Sequence, residues 1–253
     1  MSTPAANNMT NTPINEEPRI APDTQAPRDQ AWQQDVAKAI TGAQQGLLDL
    51  QHADGYWCFE LEADCTIPAE YIMMMHFMDD IDTGLQSKLA RYIRSKQQSE
   101  GGWPLYLYGK FDMSCSVKAY YALKLAGDDP EAAHMRKARE LILQHGGAAR
   151  SNVFTRLALA MFQQIPWRGV PYIPAEIMLL PRWFPFHLTK VSYWTRTVVV
   201  PLTILYSLKA KAANPQQVNV RELFTLDPDK ERNYFPVRSR LNWLFLMIER
   251  AAR

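Results

Sequence analysis

Two segments of the same form, Gln51-His52-Ala53-Asp54-Gly55-Tyr56-Trp57 and Gln97-Gln98-Ser99-Glu100-Gly101-Gly102-Trp103, lie 46 residues apart and share the pattern Gln-x-x-x-Gly-x-Trp. A third glutamine, Gln144, follows 47 residues later, in front of two glycines but without a tryptophan. Self-similarity at a fixed period is the signature of a repeat architecture. The sequence therefore predicts a fold built from recurring units.

The segments on either side of these glutamines have a helical pattern. Residues 65–71 and 115–121, downstream of the first two, match position by position in character. Each unit is predicted to consist of a helix, a glycine-containing turn and a second helix, and no segment alternates as a strand does. The predicted fold class is all-α. The helical pattern of the upstream stretches covers residues 38–50, 88–96 and 136–143.

The repeated residues suit a structural role. A glutamine amide can bridge two helix ends, whose backbone groups lack partners within the helix. A glycine permits a turn with positive φ, and a tryptophan covers the amide and adds apolar burial. Scaffold residues are therefore predicted at Gln51, Gly55, Trp57, Gln97, Gly101 and Trp103.

Composition narrows the function classes. The 28 Lys and Arg residues nearly balance 26 Asp and Glu residues, so no nucleic-acid partner is expected. The three cysteines and five histidines have no disulfide or metal-ligand spacing, so no metal is expected. No stretch resembles a secretory signal or a membrane span.

The composition and periodicity of the sequence change along the chain. Residues 1–28 are rich in Pro, Asn and Thr and are predicted to be a disordered tail, with one helical domain over 29–253. Helical periodicity extends from Asp35 to about Phe162, and a proline-punctuated apolar segment of loops and short helices follows. Further predictions are a helix over 193–209, an irregular stretch over 214–238 and a final helix over 241–248.

From about Trp32 onward, the sequence resembles the amino-terminal part of a bacterial squalene-hopene cyclase. The resemblance rests on the repeated Gln-x-x-x-Gly-x-Trp segments together with residues 117–127, 153–159, 170–178 and 193–196. It implies an α/α toroid of inner and outer helices, incomplete at its carboxy-terminal end. It also implies a place in hopanoid and triterpenoid biosynthesis as an isomerase that needs no cofactor.

The acid of that family is expected to lie elsewhere. In the resembled enzymes an Asp-x-Asp-Asp motif in the carboxy-terminal half protonates squalene, and that order is absent from this chain. The nearest cluster, Asp79-Asp80-Ile81-Asp82, is interpreted as a solvated turn between helices. No catalytic residue is assigned here, and no turnover is expected from this chain without a carboxy-terminal cyclase half as its partner.

Three residues are assigned to the substrate cavity by the resemblance. Trp194 and Phe154 correspond to aromatic residues of the cavity wall, and Glu70 lies near it within an otherwise apolar helix, where a carboxylate is costly. Certain relatives have an acidic residue at the position of Lys118. The hypothesis for this chain is that Lys118 forms an ion pair with Glu70.

The apolar stretch from Ile177 to Val191 has two interpretations. It packs between repeats, or it belongs to a membrane-facing entrance with Val191 and Val199 near the constriction of the channel, which is the interpretation we prefer. The chain would then be a monotopic protein on the cytoplasmic side of the bacterial inner membrane, taking up squalene or a similar polyprenoid.

Two other functions remain open from the sequence. A protein prenyltransferase β-subunit has the same kind of helical toroid but would need a zinc site. A toroid remnant without catalytic activity would bind a lipid or a protein partner instead.

Overall fold

The computed structural model describes residues 27–59, 64–185, 187–232 and 234–235, with Trp243 and Met247, and seven α-helices account for about half of them. These residues contain no strand, only an isolated bridge between Pro104 and Phe111, so the all-α prediction is confirmed. The helices are α1 (Pro27–Asp49), α2 (Thr66–Met78), α3 (Thr83–Ser95), α4 (Met113–Leu125), α5 (Ala133–Gln144), α6 (Val153–Met161) and α7 (Tyr193–Leu208).

The other predicted segments have different outcomes. The apolar proline-rich segment contains short 3₁₀ helices at Trp167–Gly169, Ala175–Leu179 and Leu188–Lys190, as expected. The predicted tail lies outside the described residues apart from its last two, which begin α1. The predicted final helix lies outside them apart from Trp243 and Met247.

The chain divides into two units, Met1–Leu61 and Glu62–Arg253. The first contains α1 and the first glycine turn. In this turn the Trp57 indole Nε1 donates to the Leu47 carbonyl oxygen at 2.6 Å, and Gln51 Nε2 donates to the Gly55 carbonyl oxygen at 2.8 Å. Leu47 belongs to the last turn of α1, and its carbonyl oxygen accepts from the backbone N–H of Leu50 at 3.2 Å as well as from the indole.

The second unit contains the same turn after α3. Trp103 Nε1 donates to the carbonyl oxygen of Ile93, ten residues before it, at 2.8 Å. Gln97 Nε2 donates to the Gly101 carbonyl oxygen at 2.7 Å. The two glycines have φ values of +87° and +104°, a region that favours residues without a Cβ.

The glutamine does not act as the sequence suggested. Its predicted role was to join two helix ends, but both bonds of the Gln97 amide nitrogen go to carbonyl oxygens, that of Gly101 and that of His134 in α5, 2.9 Å away. The tryptophan indole, rather than the glutamine amide, bonds to a carbonyl at the end of α3, that of Ile93, which also accepts from the backbone N–H of Lys96. The amide instead ties the turn to the helix of the following repeat.

Helices α2, α4 and α6 form the interior of the second unit, with α3 and α5 on its outside. Eleven of the thirteen residues of α4 are buried, and α4 contacts α2, α3, α5 and α6. By contrast α5 buries only Met135, Ala138 and Ile142, spaced by three and four residues along one face. This alternation is the arrangement expected of stacked helical hairpins.

Side-chain caps fix where these helices begin. Asp82, Asp112 and Asn152 each accept a hydrogen bond at 2.8 to 2.9 Å from the backbone N–H three residues later, at the first turns of α3, α4 and α6. Asp79 ends α2 in the left-handed conformation. The acidic cluster is therefore an exposed turn between α2 and α3, as interpreted from the sequence.

The irregular segment after α7 joins the carboxy-terminal ends of α2 and α6. The backbone N–H of Ala212 donates to the Met161 carbonyl oxygen at 2.9 Å, and that of Ala213 donates to the Phe77 carbonyl oxygen at 3.1 Å. Because both acceptors lie in the last turns of their helices, these bonds satisfy carbonyls that have no intrahelical partner. They also hold α2 and α6 side by side.

Asp128, between α4 and α5, is a buried carboxylate that links two outer helices. It accepts hydrogen bonds from Arg94 Nε at 2.8 Å and from His134 Nε2 at 2.7 Å. Burial raises the pKa of Asp128, but the hydrogen bonds from Arg94 and His134 more than offset that effect, so the pKa lies below its usual value. The carboxylate form therefore stabilises the fold.

We expect this interaction to make stability depend on acid pH. Because the folded-state pKa of Asp128 is lowered, its contribution is fully present above the unfolded value of about 3.9 and is lost as pH falls through the folded value. Asp128→Asn should lower the unfolding free energy at pH 7 by about 2 kcal/mol and by less near pH 3. Urea unfolding at a series of pH values measures this, with exposed Asp80→Asn as the control. Parallel pH profiles for wild type and Asp128→Asn would contradict the prediction.

Candidate functional site

A cavity of about 340 Å³ opens between α2 and α6, with one residue of α7 at its side. Its lining on α2 follows the spacing i, i+3, i+4 and i+7, and the lining on α6 begins with the same spacing, so each helix presents one face. The lining residues are Glu70, Met73, Met74, Phe77, Phe154, Leu157, Ala158, Met161, Phe162 and Leu205.

One end of the cavity is buried, and its lining is exposed elsewhere, at Glu70, Met74 and Phe154. Phe154, in the first turn of α6, is 54% exposed, whereas Phe162, just past the end of α6, is 3% exposed. Phe162 is held by an edge-on contact with the Tyr121 ring, with 5.3 Å between ring centroids, and is flanked by Phe77. The closed end therefore has a fixed aromatic surface, and an apolar ligand would enter from the end that carries Phe154.

Among the described residues, Glu70 is the one lining residue with a polar side chain, and it forms the ion pair that the sequence suggested. Lys118 Nζ in α4 lies 2.8 Å from Glu70 Oε1. The Lys118 side chain is 5% exposed and that of Glu70 is 49% exposed. The hypothesis of a Glu70–Lys118 pair is thus confirmed, and the pair supplies the ammonium with the partner that a buried charge requires.

The structure brings together two of the three cavity residues proposed from the sequence. Glu70 and Phe154 both line the cavity. Trp194 is 77% exposed in the first turn of α7 and does not belong to this lining, which α7 reaches through Leu205. Val191 and Val199, assigned to a channel, are half-buried and also lie outside the lining. The functional roles of all five residues stay predictions.

Most of the lining was missed by the sequence analysis. Counting from Glu70 by three, four and seven residues reaches Met73, Met74 and Phe77, and the same count from Phe154 reaches Leu157, Ala158 and Met161. The signal was therefore present in the helical spacing. It could not be used alone, because apolar residues at helical spacing line ordinary cores as well.

Two of the three cysteines, Cys65 and Cys115, are buried. Burial raises the pKa of Cys65 to about 12 and that of Cys115 to about 11, so both thiols stay protonated at neutral pH. Within the part of the chain that the structure describes, no three His, Cys, Asp or Glu side chains are grouped as metal ligands would be. In the same part, no helix is both long and apolar enough to cross a membrane.

An exposed apolar surface lies along the proline-rich segment and the start of α7. Leu179 is 83% exposed and Trp183 is 76% exposed, and Tyr193 at the start of α7 is 73% exposed. Lys190 Nζ donates to the Trp183 carbonyl oxygen at 3.2 Å, which places a basic group beside the tryptophan. Exposed apolar side chains with adjacent cations are typical of surfaces that contact lipid.

Comparison with known proteins identifies relatives over most of this chain. The family model described as the squalene-hopene cyclase N-terminal domain matches residues 40–253. The squalene-hopene cyclase of Bradyrhizobium diazoefficiens is 54% identical over 194 residues, which cover 76% of this chain and 29% of that protein. The squalene-hopene cyclase of Alicyclobacillus acidocaldarius is 34% identical over 216 residues, covering 85% of this chain and 34% of that protein.

A relative with another product has similar coverage. The dammaradiene synthase of Dryopteris crassirhizoma is 32% identical over 187 residues, 74% of this chain and 27% of that protein. This chain thus spans only 27% to 34% of the length of these three relatives.

Proposed function

Because this chain belongs to the family of squalene-hopene cyclase N-terminal domains, we propose that it supplies part of the cavity wall in which squalene is polycyclised. The product would be a hopanoid or related triterpenoid, and the reaction would be an isomerisation. The observation that carries the proposal is the cavity between α2 and α6, in which every lining residue except Glu70 has an apolar side chain.

The chemistry of such a reaction explains why the lining has this composition. Cyclisation passes through carbocations, which a nearby free nucleophile would capture, so the wall must exclude water and polar groups without a partner. Aromatic faces attract a cation, and Phe77, Phe154 and Phe162 would supply such faces. The wall can protect and guide the cation, whereas starting the reaction needs an acid.

We assign that acid to a partner. The order Asp-x-Asp-Asp does not occur in this sequence, and the acidic cluster at residues 79–82 forms an exposed turn. The proposed partner is a carboxy-terminal cyclase half that carries the motif, either as a separate chain or as a further segment. No cofactor is part of the proposal.

Complementation tests this assignment. Purified chain incubated with squalene should give no cyclic product. Co-expression with the part of the Bradyrhizobium diazoefficiens cyclase that lies beyond the matched region should give hopene, measured by gas chromatography. Leu157→Asp, which places a carboxylate without a cationic partner at a buried position of the wall, should abolish the product, and Asp80→Asn in the exposed turn should not. Cyclic product from this chain alone would refute the need for a partner, and failure of every co-expression would favour a remnant without catalytic activity.

We further propose that residues 177–191 and the start of α7 contact the membrane from which squalene enters. The exposed side chains of Leu179, Trp183 and Tyr193 support this, since aromatic and apolar side chains partition into the interfacial region of a bilayer. The proposed location is peripheral, on the cytoplasmic face of the bacterial inner membrane. Val191 and Val199 would then line the entrance, and Trp194 would lie beside it.

Vesicle flotation tests the membrane proposal. The chain should float with vesicles of phosphatidylglycerol and phosphatidylethanolamine, and a Leu179→Asp/Trp183→Asp double variant should partition about tenfold less, because each carboxylate must remain in water. Leu226→Asp, at another exposed leucine, serves as the matched control. Equal flotation of the double variant and wild type would contradict a membrane role for this surface.

A further inference from the structure

We infer that the cavity between α2 and α6 preferentially binds an apolar chain that ends in a hydroxyl group, with Glu70 as the acceptor of its hydrogen bond. The inference rests on the proposed function, because it assigns a ligand chemistry to the same cavity. It goes beyond that function because squalene, a hydrocarbon, has no hydrogen-bond donor.

A ligand in the cavity can reach the Glu70 carboxylate but not the Lys118 ammonium. All lining side chains other than Glu70 are those of Met, Phe, Leu and Ala. The Glu70 side chain is 49% exposed, whereas the Lys118 ammonium behind it is 5% exposed. A ligand in the cavity therefore meets the carboxylate and not the ammonium.

The Glu70 carboxylate can accept a further hydrogen bond. Lys118 Nζ bonds to Glu70 Oε1 at 2.8 Å, and among the described residues no other side-chain hydrogen bond to Glu70 occurs. An ionised carboxylate has two oxygens and about four acceptor positions. Oxygen Oε2 thus remains available to a donor, and hydrogen bonds that a charged acceptor makes are stronger than neutral ones.

A neutral hydroxyl suits Glu70 better than a charged group does. An anionic ligand would find no cation to pair with, because Lys118 already pairs with Glu70, and it would lose its hydration in an apolar cavity. A cationic ligand would gain little, because the Glu70–Lys118 pair has no net charge and its attraction is already satisfied. A neutral hydroxyl avoids both problems, since it can donate to Glu70 without introducing a charge into an apolar cavity.

The positions of the lining residues predict how the ligand is oriented. Phe154 lies in the first turn of α6 and Glu70 in the second turn of α2, whereas Phe77 and Phe162 lie at the opposite ends. The hydroxyl would therefore lie at the exposed part of the lining, with the hydrocarbon chain running toward the buried aromatic end. The volume of about 340 Å³ is within the range of small-molecule sites, which begins near 300 Å³.

Calorimetric titration of the chain with farnesol and with farnesyl methyl ether tests the inference. The two ligands share a hydrocarbon chain, but only the alcohol has a donor. We expect farnesol to bind about fivefold to tenfold more tightly than the ether to the wild-type chain. In a Glu70→Leu/Lys118→Met double variant, which removes both charges together, the two ligands should bind equally and with the affinity of the ether.

Controls separate this inference from the proposed cavity. Met74→Leu changes the same face of α2 but keeps the carboxylate, so it should preserve the preference for the alcohol. Equal binding of both ligands to the wild-type chain overturns the inference and leaves the cavity intact, and this ratio decides even where a variant does not fold. Binding of neither ligand overturns both. Farnesylamine binding more than tenfold tighter than farnesol would identify a cation site and would also overturn the inference.

Discussion

Trp103→Ala should lower the unfolding free energy by about 3 to 5 kcal/mol, the range for removing a large buried aromatic side chain. Trp103 is fully buried, its indole donates to Ile93, and its backbone N–H donates to Ser116 Oγ at 2.9 Å. The substitution leaves a cavity beside the end of α3 and removes one of the bonds to its last carbonyls. Guanidinium unfolding followed by far-ultraviolet circular dichroism measures the change without depending on tryptophan fluorescence.

The first repeat provides the matched control. Trp57 makes the same bond, to Leu47, but its side chain is 42% exposed. Trp57→Ala should therefore cost about 1 kcal/mol, mainly the hydrogen bond. Trp103→Phe, which keeps an aromatic ring and loses the N–H, should give an intermediate loss. Equal losses of stability in the two alanine variants would show that burial of the tryptophan has no energetic consequence.

Gly101→Ala should also have a large effect and lower the unfolding free energy by about 3 kcal/mol. Gly101 has a φ of +104°, which alone costs a residue with a Cβ about 1 to 2 kcal/mol. A Cβ there would also lie 2.7 Å from the carbonyl carbon of Lys137 in α5, a backbone atom that cannot move aside. The added steric overlap costs about as much again.

Gly55→Ala isolates the conformational part of this effect. Gly55 has a φ of +87°, and no atom lies within 4 Å of the position that a Cβ would take. Its substitution should cost about 1 kcal/mol. Denaturant midpoints of the two variants measure the difference, and equal losses would show that the approach of Lys137 to the turn has no energetic consequence.

The repeats could be predicted from the sequence because their determinants are local. The Gln-x-x-x-Gly-x-Trp segments fixed the order of helix, turn and helix, and the family resemblance that they supported is confirmed by the match over residues 40–253. The ion pair of Glu70 with Lys118 was a hypothesis from the family resemblance, because certain relatives have an acidic residue at the position of Lys118, and the structure confirms it.

The cavity could not be predicted in the same way because it depends on contacts between distant segments. Leu157 is 5% exposed and Phe154 is 54% exposed on the same face of α6, and nothing in the spacing separates a buried wall from an open one. The difference arises where residues 212–214 hold the ends of α2 and α6 together. The partner of Gln97 could not be predicted for the same reason, because His134 lies 37 residues further along the sequence.

The burial of α4 has a consequence for how freely this chain tolerates mutation. Every face of α4 meets another segment, so a larger or smaller side chain there must be accommodated by several neighbours at once. A change on the outer faces of α3 or α5 meets only solvent. In a library of random variants selected for folding, we therefore expect replacements to accumulate on those outer faces and to be nearly absent from residues 114–123.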